Sequence, residues 1–209
     1  MTQYGHLWLF ATLVLGVVVL PGLDMAYIMG SALSGGRRAG FAALAGVVAG
    51  GVCHVVMTGL GVSVLLRTVP GAFNALLVAG ALYIAWIGVS LIRSHAAFSV
   101  AATVDRPLAA TFRQGMLTCL LNPKAYLFML AIFPQFLRPE YGALVVQAAV
   151  MWLIIALNQV FVYGGLALAA DRARRWLSRE PAAGVFVARS VGVLLIGAAM
   201  FTGIEGWRG

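Results

Sequence analysis

Charge is what this sequence has least of. Charged residues make up 10% of the chain, and only six of its 209 residues are acidic; a soluble domain carries roughly 25% charge. A globule of this composition could not cover itself with polar side chains, so a water-soluble fold is excluded. Cysteine is scarce as well. Cys53 and Cys119 are the two present, and each sits inside an apolar run, which argues against a disulfide framework. Lysine occurs once, as Lys124, beside thirteen arginines. The formal charge of +8 is no nucleic-acid footprint, because the arginines fall between apolar runs rather than along one polar face. Polar linkers long enough to fold by themselves are also missing, so residues 1–209 form a single domain.

What the chain has in abundance is apolar length. Hydrophobic residues make up 62% of it. Six runs stand out, at about Leu7–Leu33, Ala39–Leu66, Ala72–Ile92, Phe112–Leu137, Ala143–Ala170 and Gly184–Ile204. At about 1.5 Å per residue each can cross a hydrocarbon core of about 30 Å. They lack the period-two alternation of barrel strands and are too long to be them, so the spans are helices. The first run has no basic segment before it and no small-residue cleavage site after it, and it is too long for a signal peptide. The expected fold is an all-α integral membrane protein of about six transmembrane helices.

Arginine gives the spans a direction. The connectors after the first, third and fifth runs hold Arg37, Arg38, Arg93, Arg106, Arg113, Arg172, Arg174, Arg175 and Arg179, whereas the other connectors and the termini hold only Arg67, Arg138 and Arg208. Basic loops stay cytoplasmic, so both termini are expected outside. Six spans divide into two sets of three, about 1–95 and 112–209, and an odd number per set makes the second enter in the opposite sense. That is the geometry of an inverted repeat.

The first span of each set carries a breaker, Pro21-Gly22 in one and Asn122-Pro123 in the other. Both lie roughly ten residues from the cytoplasmic end, near the midplane. Proline removes a backbone donor and clashes with the preceding turn, so carbonyls come free there. Free backbone at that depth is tolerated only under protein or water. The alternative is a plain kink packed against neighbours, the reading given to Pro134.

An ionisable residue stands beside each break: Asp24 after Pro21-Gly22, Lys124 after Asn122-Pro123. A charge near the bilayer centre costs about 2.5–3.5 kcal/mol, so it is rarely idle. Asp24 falls in the first turn of the half-helix that starts at the break, where a carboxylate meets the positive dipole end. Asn122 is a good N-cap with Pro123 at the first helical position, so the second half of span four restarts there. Two roles stand side by side. Asp24 and Lys124 pair and lock the two sets together, or Asp24 receives a substrate ammonium while the carboxylate meets Lys124 and the half-helix start.

Other polar residues carry less. Ala42, Gly46, Gly50 and His54 share one helix face, where small residues admit another helix closely; His54 is either a proton relay or a packing histidine. Cys53, Cys119 and His54 make a poor metal set, since adjacent helix residues point apart. Neither a metal nor another cofactor is expected. Asn158 and Gln159 either line a path or bond between helices. Tyr83, Trp86 and Trp152 read as packing or interfacial anchors.

Longer motifs bring a family into view. Pro21-Gly22-Leu23-Asp24-Met25 followed by Ser34-Gly35-Gly36-Arg37-Arg38-Ala39-Gly40 resembles the opening of the LysE (RhtB-type) family of bacterial amino-acid exporters. Gly80 to Gly88 looks like that family's third span. Phe112-Arg113-Gln114-Gly115, then Leu121-Asn122-Pro123-Lys124-Ala125 and Phe133-Pro134-Gln135-Phe136, look like its fourth. One departure is Leu23, where the family usually has a second proline. The resemblance implies a multi-pass protein of the bacterial inner membrane that exports an amino acid or a small derivative, driven by the proton gradient. Its partners are then the amino acid, protons and membrane lipid, and small-residue faces permit a homodimer. Export of a cation or another small metabolite is the alternative within transport. An intramembrane enzyme with Asp24 and His54 as acid and base is the alternative outside it, but no nucleophile motif, second carboxylate or metal set supports it.

Overall fold

The computed structural model describes residues 3–60 and 107–177, together with isolated helical positions between 75 and 92 and between 189 and 200. All regular structure among the described residues is helical. It comprises α1 (Gln3–Val19), α2 (Leu23–Gly59), α3 (Leu108–Leu120), α4 (Pro123–Ala131), two short 3-10 turns (Phe133–Phe136 and Pro139–Tyr141) and α5 (Leu144–Leu177). Apart from the isolated positions, the spans expected at Ala72–Ile92 and Gly184–Ile204 lie outside the described residues. By length and composition, α2 and Leu144–Arg174 of α5 can each cross a membrane, and the bent pair α3–α4 makes a third candidate.

The 37-residue α2 is not one straight rod. Gly36 inside it has φ 72 and ψ −173, a left-handed conformation that glycine adopts without a Cβ penalty. The chain folds back there. A Cβ placed on Gly40 would lie 2.8 Å from the Cβ of Ala32, whereas eight residues of continuous helix would separate them by about 12 Å. The expected first span is therefore α1, a break at 20–22, and the arm of α2 before Gly36. The second span is the arm after it. The five-residue connector read from Ser34 to Arg38 shrinks to one non-helical glycine. The Oδ1 of Asp171 holds the turn by accepting from the Arg37 N–H at 3.0 Å.

The expected fifth span ends at Ala170, but α5 runs on to Leu177. Helix-favouring Ala, Arg and Leu continue past the apolar stretch, and Asp171 ties the extension to the Gly36 turn. Span four bends by 50° between Leu108–Leu120 and Pro123–Phe136.

The arm of α2 after Gly36 packs closely on α3. A Cβ on Gly46 would collide with the carbonyl of Phe112, one on Gly50 would come 2.7 Å from the Cys119 Cβ, and one on Gly115 would come 3.2 Å from the Cα of Ala43. Small residues at these crossings let the backbones meet, as van der Waals packing in lipid requires. The Tyr27 hydroxyl donates to the Thr111 carbonyl at 3.0 Å, joining the other arm to α3. The Phe10 ring of α1 packs at a tilt against Phe128 and Phe136 and edge-on against Phe133, and His6 Nε2 lies 3.2 Å from the Phe136 carbonyl oxygen. These contacts tie α1 to the far end of the bent span.

Candidate functional site

The site begins with backbone accounting. Pro21 has no N–H, so the carbonyl four residues earlier, Val17, loses its helical partner. The carbonyl of Leu20 is freed too, because α2 starts afresh with Ala26 N bonding to Gly22 O at 3.0 Å. The Lys124 ammonium satisfies both, donating to Val17 O at 3.1 Å and Leu20 O at 2.9 Å. A cation at the C-terminal end of a helix also meets the negative end of its dipole. Gly22 makes room for this, since a Cβ there would lie 3.1 Å from the Lys124 Nζ.

The second break follows the same logic. Pro123 deprives Cys119 O of its helical donor; that oxygen accepts instead from the Asn122 N–H at 3.1 Å, and His54 Nε2 sits 3.1 Å from it as well. The His54 ring is 2% exposed and lies edge-on to Tyr126, with centroids 4.6 Å apart. Asn122 caps the restarted helix: its Oδ1 accepts from the Lys124 N–H at 3.1 Å with Pro123 in the first turn. Each break is therefore clasped by a side chain from a distant part of the chain. A lysine from the span-four break holds the break in span one, and a histidine from span two holds the break in span four.

Asp24 and Asn122 are left over. Asp24 is 4% exposed and its Oδ1 has no hydrogen-bond partner; Asn122 is 2% exposed and its Nδ2 has none either. The Asn122 side chain lies beside the Asp24 carboxylate without meeting it at hydrogen-bonding geometry. Lys124 and Asp24 are near enough for their charges to act on each other, yet two of the ammonium's three N–H groups go to carbonyls, and among the described residues no ion pair joins the two. A buried polar atom without a partner costs about 1–3 kcal/mol, and each such case calls for an explanation.

Asp24, His54, Asn122 and Lys124 line one cavity of about 60 Å³, room for a few water molecules. Its remaining wall is mostly apolar, including Val14, Val18, Phe128, Met129 and Ile155, with Gln159 and Tyr163 from α5. Of the residues singled out in the sequence, the structure thus gathers these four, and Pro21, Gly22 and Pro123 shape the breaks around them. It does not bring in Asn158, whose Nδ2 donates to Ile154 O on its own helix. Its neighbour Gln159 faces the cavity instead. Tyr163 escaped the sequence reading, though Ile155, Gln159 and Tyr163 recur every four residues and so mark one face of α5. Trp152 packs near Gly51 and Trp86 is exposed, while Tyr83 lies outside the described residues. Among the described residues no group of three His, Cys, Asp or Glu gathers as a metal would require.

Comparison with known proteins adds a second line of observation. Residues 15–206 match the family model described as LysE type translocator. An uncharacterized membrane protein of Pseudomonas aeruginosa is 30% identical over 91% of this chain and 91% of its own length. A homoserine/homoserine lactone efflux protein of Salmonella typhimurium is 30% identical over 81% of this chain and 84% of its own. A leucine efflux protein of the same organism is 27% identical over 65% of this chain and 66% of its own. No solved structure matches.

Proposed function

The chain belongs to the LysE type translocator family, a family of transporters rather than enzymes, and from that premise we propose that it is a secondary exporter of an amino acid or small amino-acid derivative, driven by proton antiport. The substrate ammonium sits on Asp24 and its carboxylate at the start of α4, where Asn122 and Lys124 stand. A proton and an ammonium competing for one carboxylate give antiport directly, because the carboxylate charge cannot serve both at once. The observation that carries this reading is the partnerless Oδ1 of Asp24, buried at a helix break and facing a cavity. Two relatives named as efflux proteins of amino-acid metabolites support it.

The wider frame follows the same premise. The protein lies in the bacterial inner membrane with both termini outside, as the arginine distribution favours. Two sets of three spans oppose each other, and the matched proline breaks, each clasped by a side chain from the other set, support that arrangement. Small-residue faces allow a homodimer.

Purified protein in proteoliposomes tests the coupling. Imposing a proton gradient should drive amino-acid counterflow, and Asp24→Asn should abolish both transport and its pH dependence while the protein still inserts. Full, pH-dependent efflux from Asp24→Asn would remove the coupling role.

A further inference from the structure

The polar groups around the cavity divide into those with work inside the fold and those without. Lys124 is taken up by Val17 O and Leu20 O. His54 is taken up by Cys119 O, and the Oδ1 of Asn122 by the N–H that it caps. Among the fully buried lining atoms, two are left without a partner, the acceptor Asp24 Oδ1 and the donor Asn122 Nδ2, and Gln159 and Tyr163 add polar groups from α5. Asp24 and Asn122 come from different breaks and line the same cavity. An ammonium needs an acceptor and a carbonyl or carboxylate oxygen needs a donor, so the pair has the polarity of an α-amino acid's head group. Among the described residues Asp24 is the only acidic one in the lining, so a second ammonium would find no second carboxylate among them. Lys124 is the one lysine in the lining among the described residues, and two of its three N–H groups already serve Val17 O and Leu20 O, so a side-chain carboxylate would have to compete with them. The wall that would meet a side chain is mostly apolar.

Resting on the exporter reading, we propose that this cavity selects α-amino compounds with an uncharged, apolar side chain, placing the ammonium on Asp24 and the carbonyl or carboxylate oxygen on the Asn122 amide. Lys124 is then a positioning residue that holds the break in span one, not the group that receives the carboxylate. The amide is a neutral donor, so it accepts an ester carbonyl as well as a carboxylate. A free lysine ammonium would discriminate strongly between the two, because charge-assisted bonds are about twice as strong as neutral ones.

Equilibrium binding to the purified protein tests this, with radiolabelled leucine as probe and leucine methyl ester, lysine and glutamate as competitors. The ester should compete within about tenfold of leucine, the spread expected for a neutral donor. Lysine and glutamate should be weaker by about a hundredfold or more, since each brings a charge the lining leaves unpaired. Asn122→Ser keeps an oxygen for capping α4 but deletes the amide donor; it should weaken leucine by about tenfold, with the melting temperature showing that the fold survives. A loss above about a hundredfold on esterification would put the carboxylate on Lys124 and overturn the assignment. Equal competition by lysine or glutamate would overturn the selectivity while leaving the exporter reading standing. Binding of no amino acid of any class, with no export in proteoliposomes, would bring down the exporter reading itself.

Discussion

The ammonium of Lys124 donates at 3.1 Å to the carbonyl of Val17, the group that Pro21, four residues on, leaves without a helical donor. Break and clasp come from parts of the chain more than a hundred residues apart. A lysine near the middle of a membrane is costly to place. Here its charge is met by two backbone carbonyls at a helix end, which explains how it sits beside Asp24 without forming an ion pair with it.

That relationship predicts a stability effect. Lys124→Met should leave Val17 O and Leu20 O without their donor at about 1–3 kcal/mol each, lowering the thermal midpoint of the detergent-purified protein. Lys124→Arg keeps a cation with several donors and should lose much less. Equal midpoints for the methionine variant and the parent would show that the two bonds contribute nothing.

The histidine clasp behaves in the same way on a smaller scale. His54→Phe keeps the ring against Tyr126 but removes one of the two donors to Cys119 O, which still accepts from the Asn122 N–H, for an expected loss of about 0.5–1.5 kcal/mol. His54→Gln, which carries an N–H of its own, should recover part of it. If His54 acts only in this clasp, the glutamine variant retains pH-dependent transport in proteoliposomes; a flat pH profile would make it a proton relay instead.

Close packing between α2 and α3 predicts intolerance to added bulk. Gly46→Val puts side-chain atoms where the Phe112 carbonyl lies, and overpacking of this kind costs about 1–3 kcal/mol or more. Gly165→Ala, at a position with open space around it, should be neutral or slightly stabilising in its helix. Size-exclusion profiles of the two variants after membrane extraction would separate them.

The orientation can be read directly. In a background with Cys53 and Cys119 replaced by alanine, Tyr4→Cys should react with a membrane-impermeant maleimide on intact cells. Arg172→Cys should react only once the membrane is opened. The reverse pattern would invert the topology drawn from the arginines.

Much of the frame was legible in the linear chain because its causes are local. The breaks at Pro21-Gly22 and Asn122-Pro123 follow from the missing proline N–H, and Asn122 as a cap follows from side-chain reach over two residues. The close face of Gly46, Gly50 and His54 follows from helical period alone, and all three meet α3. Less legible was the turn at Gly36. Five polar or small residues looked like a loop, yet a single left-handed glycine suffices once Asp171, from the end of α5, takes up the Arg37 N–H.

By itself the sequence determined the membrane, the helices, the places where two of them break and the family, since composition, period and proline chemistry act within a few residues. Only the tertiary structure decided what each polar side chain at the breaks attends to. Lys124 could reach Asp24 or a carbonyl, and His54 could serve a proton or Cys119. Which partner wins depends on how helices distant in the chain are placed against one another. That placement left Asp24 Oδ1 and Asn122 Nδ2, and not the Lys124 ammonium, as buried lining atoms without a hydrogen-bond partner.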